Sequence, residues 1–325
     1  MRKLFLTLVA ILMCVAANAA TSYTVTVVYN GSTATVSIPG EVSGYVTCQS
    51  GTSAHVKLVQ LSTSDNNPGE IIYKLSGSSE DGEFYFTGDY KATLQLDGLT
   101  LTNPDSTAIH IKDGKRIKIS MVNETVSTLT DGAMDAESKG CLHVKGHTEF
   151  VGKGTLNIVS NIRHAIFSKE YIELKNCTIN VKGAKKDGIH CQQYFRMTSG
   201  VVNISDVEDD GIRVELKGET PTQGSDTEDE DTGNFYMTGG TLTIDNVGAK
   251  CIKTAGTITY SGGEQNFDKT NTEQNAVSAI HAVPVQTKDT EAIYDLSGRR
   301  VTDSQLSKGV YIIRRGGKTQ KVLIK

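Results

Sequence analysis

The sequence of 325 residues predicts an all-β fold: a right-handed parallel β-helix (solenoid) with an N-terminal cap and a small C-terminal β-sandwich-like domain. Three observations lead there. A small residue followed by Ile or Leu recurs at Ala108-Ile109, Cys141-Leu142, Ala165-Ile166, Gly188-Ile189, Gly211-Ile212 and Cys251-Ile252. From Leu142 onward the spacings are 24, 23, 23 and then 40 residues, and periods in the twenties mark stacked units that cannot bury their apolar faces alone. Thr, Val, Ile and Gly alternate throughout with almost no helix signal, which reads as strand. Aligned repeats also give continuous apolar columns, about three strands per rung.

In chain order, residues 1–20 are not part of the fold. Arg2 and Lys3 precede the apolar run Leu4 to Ala16, and Ala17-Asn18-Ala19 is a small-x-small cleavage pattern. This predicts a signal peptide cut near Ala19 and a secreted or outer-cell-surface chain. Lipid anchoring at Cys14 is the alternative, although Met13 is a poor neighbour for it. No stretch is long enough to span a membrane as a helix. Residues 21–264 form the β-helix, with 23–90 alternating off the period as cap and first rungs. Residues 217–234 interrupt the stack with an acidic run around Asp226, Glu228, Asp229, Glu230 and Asp231, either a solvated loop or a calcium-collecting one. Residues 265–290 lack periodicity and read as a linker; 291–325 form the second β unit.

The rungs align Ile117, Thr148, Ile172, Phe195 and Phe235 in one column and Ile119, Phe150, Leu174, Met197 and Met237 in the next. After a corner (Lys175-Asn176-Cys177, Thr198-Ser199-Gly200, Thr238-Gly239-Gly240) come Leu156, Ile179, Val202 and Leu242, then Ile158, Val181, Ile204 and Ile244. Alternate strand positions share a face, so these columns line the interior. Cys141 and Cys251 fill the small inward slot. The five cysteines beyond the leader have neither disulfide-framework nor metal-site spacing. Without Arg2 and Lys3 the formal charge falls from −4 to −6, which argues against nucleic acid.

Chemistry is expected in the outward columns. The residue before each small–apolar step is His164, Asp187, Asp210 and Lys250 in turn. Carboxylates on neighbouring strands, about 4.8 Å apart, want a cation between them or a raised pKa on one. Asp209 and Glu208 add acceptors, so Asp187, Asp209, Asp210 and Glu208 are candidate calcium ligands; a metal-free charge ladder bracketed by His164 and Lys250 is the other reading. The residue after the step gives His110, His143, Phe167, His190, Arg213 and Lys253. Its cationic members, His110, His143, His190, Arg213 and Lys253, are candidate contacts for an extended anionic polymer, or ordinary exposed positions balancing the acidic column. Lys185 and Lys186 precede Asp187, and a Lys beside a metal-held acidic sugar is the arrangement for proton abstraction in a lyase. Asn157, Asn180, Asn203 and Thr243 form a further outward row suited to hydrogen bonding along the stack. The chain has no Trp, and no aromatic platform for flat glycans is evident.

Leu94-Gln95-Leu96-Asp97-Gly98 through Ala108-Ile109, Gly152-Lys153-Gly154-Thr155-Leu156-Asn157-Ile158, Lys186-Asp187-Gly188-Ile189 and Asp209-Asp210-Gly211-Ile212 resemble, in that order, the secreted carbohydrate-binding β-helix family. The resemblance covers about residues 23–265. It implies non-catalytic, calcium-carrying helices, similar to family 9 polysaccharide lyases, that bind cellulose-like or pectin-like polymers. Calcium at the Asp-Gly-Ile turns then carries over to Asp187, Asp209 and Asp210. The rungs at Arg163-His164-Ala165 and Lys250 lack the acid, which implies fewer ions. The tail from Ile293 resembles the C-terminal sorting domain of type IX secretion cargo, implying that machinery as a partner. The leading expectation is therefore a calcium-stabilised, non-catalytic polysaccharide binder. A lyase using Lys185 or Lys186 and a structural or adhesive surface protein are the alternatives.

Overall fold

The structure is a computed structural model and describes residues 23–61, 69–132, 138–224, 229–274, 292–302, 306–315 and 318–324. The predicted leader, Asp226, Glu228 and most of the predicted linker lie outside the described residues. The chain divides into two compact units, residues 1–275 and 276–325.

The first unit is a parallel β-helix with three strand-bearing faces. Strands of the first face are Ile117–Met121, Thr148–Gly152, Ile172–Leu174, Tyr194–Met197, Asn234–Met237 and Ile258–Tyr260. Those of the second are Val126–Asp131, Thr155–Ser160, Thr178–Ala184, Val201–Val207, Thr241–Val247 and Glu264–Asn266. The third runs from His55–Gln60 and Glu83–Thr87 through Ile109–Lys112, Gly140–Val144, His164–Ser168, Ile189–Gln192, Ile212–Glu215 and Ile252–Thr254 to Thr272–Gln274. Register follows the predicted columns. Ile117, Thr148, Ile172, Phe195 and Phe235 pair in sequence, as do Leu156, Ile179, Val202 and Leu242.

These columns are the core. Phe195 and Phe235 stack with ring centroids 5.2 Å apart, and the flanking aliphatics are buried. Thr148 is the polar exception; its hydroxyl bonds to Ser168 Oγ at 3.0 Å, so nothing polar is left unmet there. Cys141, Cys191 and Cys251 are buried free thiols, packing as small apolar groups.

The corner between first and second faces needs a left-handed residue. Gly152 supplies it at φ 100, where a Cβ would sit 2.1 Å from the Met121 carbonyl oxygen. One rung on, Asn176 takes φ 68, a conformation Asn tolerates.

The stack is closed at its start and extended at its far end. At the start, Thr24–Asn30 forms an antiparallel hairpin with Thr33–Ser37, and Val46–Cys48 lies antiparallel on His55–Gln60, closing that edge. At the far end the stack continues into the segment expected to be a linker: Glu264–Asn266 and Thr272–Gln274 pair onto the preceding rung. Their periodicity is hidden because Gln265 stands in the inward column after Leu242; its amide bonds to the Gly262 and Gly263 carbonyls instead of packing. The second unit's described strands, Ala292–Tyr294, Arg300–Val301, Gly309–Arg315 and Lys318–Ile324, form one four-stranded antiparallel sheet.

Candidate functional site

The site lies on the third face and its corner with the second. The predicted acidic column is a hydrogen-bond ladder. Asp187 Oδ1 accepts the amide N–H of Asp210 at 3.1 Å, and Asp210 Oδ1 accepts that of Lys250 at 2.9 Å. His164 does the same work one rung earlier, its Nδ1 accepting the Asp187 N–H at 3.3 Å. Imidazole Nδ1 and carboxylate Oδ1 are each bonded to Cγ, so either satisfies the same amide. The missing acid at His164 is therefore a substitution of acceptor for acceptor.

The outer atoms of this column meet the next one. Asp187 Oδ2 lies 2.8 Å from His190 Nδ1 and 3.1 Å from His164 Nδ1. Arg213 Nη1 lies 3.4 Å from Asp210 Oδ2, repeating the same step of three residues. Glu215 bridges the two pairs, 2.8 Å from Arg213 Nε and 3.4 Å from His190 Nε2. Burial pushes the Asp187 carboxyl up, but the imidazoles of His164 and His190 beside it outweigh this and hold the group well below the usual carboxylate range. Burial raises Asp210, with the Asp187 and Asp209 charges adding to it. His190 is raised, since its bonds to Asp187 and Glu215 overcome burial. Burial drives His143 down to about 3, with His110 and Lys139 adding to the effect. This predicted cation is thus a neutral imidazole at ordinary pH.

The second column stacks as expected, with His110, His143, Phe167, His190, Arg213 and Lys253 in register on successive strands. It is largely a column of rings: His110 and His143 stack at 4.3 Å, and Phe167 meets His143 and His190 at 5.1 and 5.2 Å. No aromatic platform is evident in the sequence because these rings are His and Phe, with no Trp in the chain. A second ring column, His147, Tyr171 and Tyr194, is also stacked, but Tyr171 and Tyr194 are buried.

A cleft of about 510 Å³ opens over this surface. It gathers His143, His190 and Arg213 of the predicted contacts, and Asp187 and Asp209 of the predicted ligands. His110 and Lys253 are not among its lining residues; Lys253 pairs with Glu273 at 3.1 Å. Glu208 turns to Lys185 and stands apart from the three aspartates. Of the two loop lysines, Lys186 lines the cleft and Lys185 does not.

The cleft also sets the predicted Lys186 and Asp209 in one row with two residues the sequence did not single out, Lys139 and Arg163. Lys139, Arg163, Lys186 and Asp209 occupy equivalent rung positions along one margin, spaced 24, 23 and 23 residues, with Lys186 N–H bonded to the Arg163 carbonyl. Lys169, Gln192 and Glu215 form the other margin. Reading the repeat alignment one residue before the first chosen column and two residues after the second finds both rows. Among the described residues, Lys139, Arg163, Lys169 and Lys186 make no ion pair. Arg163 Nε is buried without a hydrogen-bond partner. Asp187 and Glu215 are engaged with His164, His190 and Arg213, which leaves Asp209 as the carboxylate facing these four cations along the cleft. Donor atoms of Asp187, Asp209 and Asp210 lie within 4.8 Å of one another, as do those of His164, Asp187 and His190.

The described part of the acidic insertion is tied down. Asp231 accepts the N–H groups of Lys217 and Gly218 at 2.8 and 2.7 Å. Glu230 is buried and accepts the Tyr236 hydroxyl at 2.7 Å.

Three comparisons bear on the chain. The profile of carbohydrate-binding domain-containing proteins matches residues 59–312. A carbohydrate-binding domain-containing protein of Acetivibrio thermocellus is 26% identical over 120 residues, 34% of this chain and 42% of that protein's length. The chain thus aligns with less than half of that relative. A solved structure described as a polysaccharide lyase-like protein from C. thermocellum, a gadolinium derivative, superposes with a TM-score of 0.54 at 18% identity. That superposition covers 77% of this chain and 99% of the other, a likeness of fold.

Proposed function

The chain belongs to the family of carbohydrate-binding domain-containing proteins, and on that premise we propose that it binds an acidic polysaccharide along the third face without cleaving it. The observation that carries this reading is the row of unpaired cations Lys139, Arg163 and Lys186 along one side of the cleft, with Lys169 on the other, flanking a floor of stacked rings. Charges that find no partner in the protein suit a ligand carrying carboxylates at regular intervals. The ring floor offers apolar contact for sugar faces. Of the two candidate bases for a lyase, Lys185 is paired with Glu208 and stands outside the cleft, whereas Lys186 lines it, so the lyase reading rests on Lys186 alone.

Calcium is part of the proposal. Asp187, Asp209 and Asp210 present hard oxygen donors, and a bound cation would relieve the Asp187 and Asp209 repulsion that adds to burial in raising Asp210. Calcium would supply positive charge for a sugar carboxylate at the cleft. Export by a cleaved leader, with the second unit addressing the chain to type IX machinery, completes the proposal.

Affinity electrophoresis in gels cast with polygalacturonate or with a soluble cellulose derivative tests the binding. The account expects retardation by polygalacturonate, weakened as salt rises, and weakened severalfold in Arg163→Ala and Lys186→Ala. Retardation by the neutral polymer alone, untouched by either substitution, contradicts it. Release of unsaturated oligosaccharides from polygalacturonate would move the reading to a lyase.

A further inference from the structure

We propose that His164, Asp187 and His190 form a binding site for one divalent cation of the zinc class, separate from the oxygen-only cluster to which Asp187 also contributes. The three side chains come from two neighbouring rungs, His164 from one and Asp187 and His190 from the next, are 7%, 1% and 9% exposed, and all line the cleft. Both imidazoles turn Nδ1 toward the same carboxylate oxygen, at 3.1 Å and 2.8 Å. Zinc bonds to nitrogen and oxygen of about 2.0–2.2 Å put tetrahedral ligand atoms roughly 3.3 Å apart. The trio is therefore close to ligating geometry before any metal arrives.

Hydrogen-bond directions set the competition that a metal must win. The single lone pair on His164 Nδ1 accepts the Asp187 amide at 3.3 Å, so the ion would take that lone pair from the amide, and would replace the proton shared between His190 Nδ1 and Asp187 Oδ2 at 2.8 Å.

The surroundings have the character of an outer ligand shell. Glu215 contacts His190 through Nε2 at 3.4 Å, leaving Nδ1 for the metal. Asp187 is fixed through its other oxygen by the Asp210 amide at 3.1 Å. Such partners orient metal ligands and set their affinity. Two imidazoles and one carboxylate suit a borderline ion, whereas calcium takes oxygen ligands. With three protein ligands, one position remains for water or a ligand oxygen from the cleft.

This inference does not depend on the polysaccharide reading, because metal uptake and polymer retardation are read separately. The full chain, purified without a histidine tag and stripped with chelator, is titrated with zinc chloride by calorimetry, with and without excess calcium. The expected result is one equivalent bound, undiminished by calcium, and weakened more than about tenfold in His164→Gln and His190→Gln. His55→Gln, at the exposed His55–Asp81 pair, should leave it unchanged. Should the first two variants fail to fold, cobalt titration of the parent decides: intense visible bands of a tetrahedral nitrogen-ligated ion support the site. No uptake, weak octahedral bands, displacement by calcium, or loss with His55→Gln alone would overturn it.

Discussion

Asp131 is fully buried at the end of its strand on the second face. It accepts bonds from the Ser160 hydroxyl at 2.7 Å and the Asn161 amide at 2.5 Å. Burial nevertheless wins and lifts its carboxyl from the ordinary 3.8 to about 6. A group raised in the folded state contributes stability that is complete below its unfolded value and is lost as pH climbs through the folded one. Two units correspond to about 3 kcal/mol. The parent should therefore lose stability relative to Asp131→Asn between about pH 4 and pH 6, as measured by urea unfolding at each pH. Parallel curves for the two proteins across that window would contradict the assignment. Single-residue chemistry of this sort was poorly legible in the sequence. The neutrality of His143 and the rise of Asp131 both come from burial, which depends on what packs above and below. The equivalence of His164 Nδ1 with an aspartate oxygen likewise emerged only from the amide that each accepts.

At the scale of elements, the asparagine row behaves as a ladder. Asn180 Nδ2 donates to Asn157 Oδ1 at 2.9 Å, and Asn203 Nδ2 donates to Asn180 Oδ1 at 2.8 Å. Asn180→Ala breaks both bonds and should cost about 1–2 kcal/mol, while Asn157→Ala breaks one and should cost about half as much. Urea unfolding of the two variants measures this, and equal costs would show that the row is not a ladder. A steric test applies at the corner. A Cβ on Gly188 would lie 2.7 Å from the Gly211 carbonyl oxygen and 2.8 Å from Ile204 Cγ2. Gly188→Ala should therefore lower the thermal midpoint, by about 1–3 kcal/mol in stability, although Ala165 fills the same slot one rung earlier. These columns were readable because a constant period forces equivalent residues into register. The cationic row was less legible because it lies one position outside the columns that border the small–apolar step. Lys139, Arg163 and Lys186 repeat at the same intervals as the residues that were chosen.

For the β-helix as a whole, the period failed where rungs are built differently. In the first two, one long strand replaces strand, corner and strand. Ala92–Asn103 pairs with both the first and second faces and bends at Gly98, φ 67; Ile71–Ser79 runs beside it and turns at Gly77, φ 83. At the other end, Gln265 in an apolar column hid the last rung. Atypical end units are what a solenoid requires, so the ends are where repeat reasoning loses its signal. If calcium occupies the Asp187, Asp209 and Asp210 cluster, adding it to chelator-treated protein should raise the thermal midpoint with concentration. That shift should shrink in Asp209→Asn, which removes a donor without breaking the amide ladder. An unchanged midpoint in both would remove calcium from the account. The most direct test of polymer binding is a hydrogen-exchange footprint of the full chain with and without a galacturonate oligosaccharide. Protection concentrated on the third-face strands His164–Ser168 and Ile189–Gln192 and at Lys186 is the predicted result. Protection confined to the first or second face, or none despite measurable binding, would contradict it.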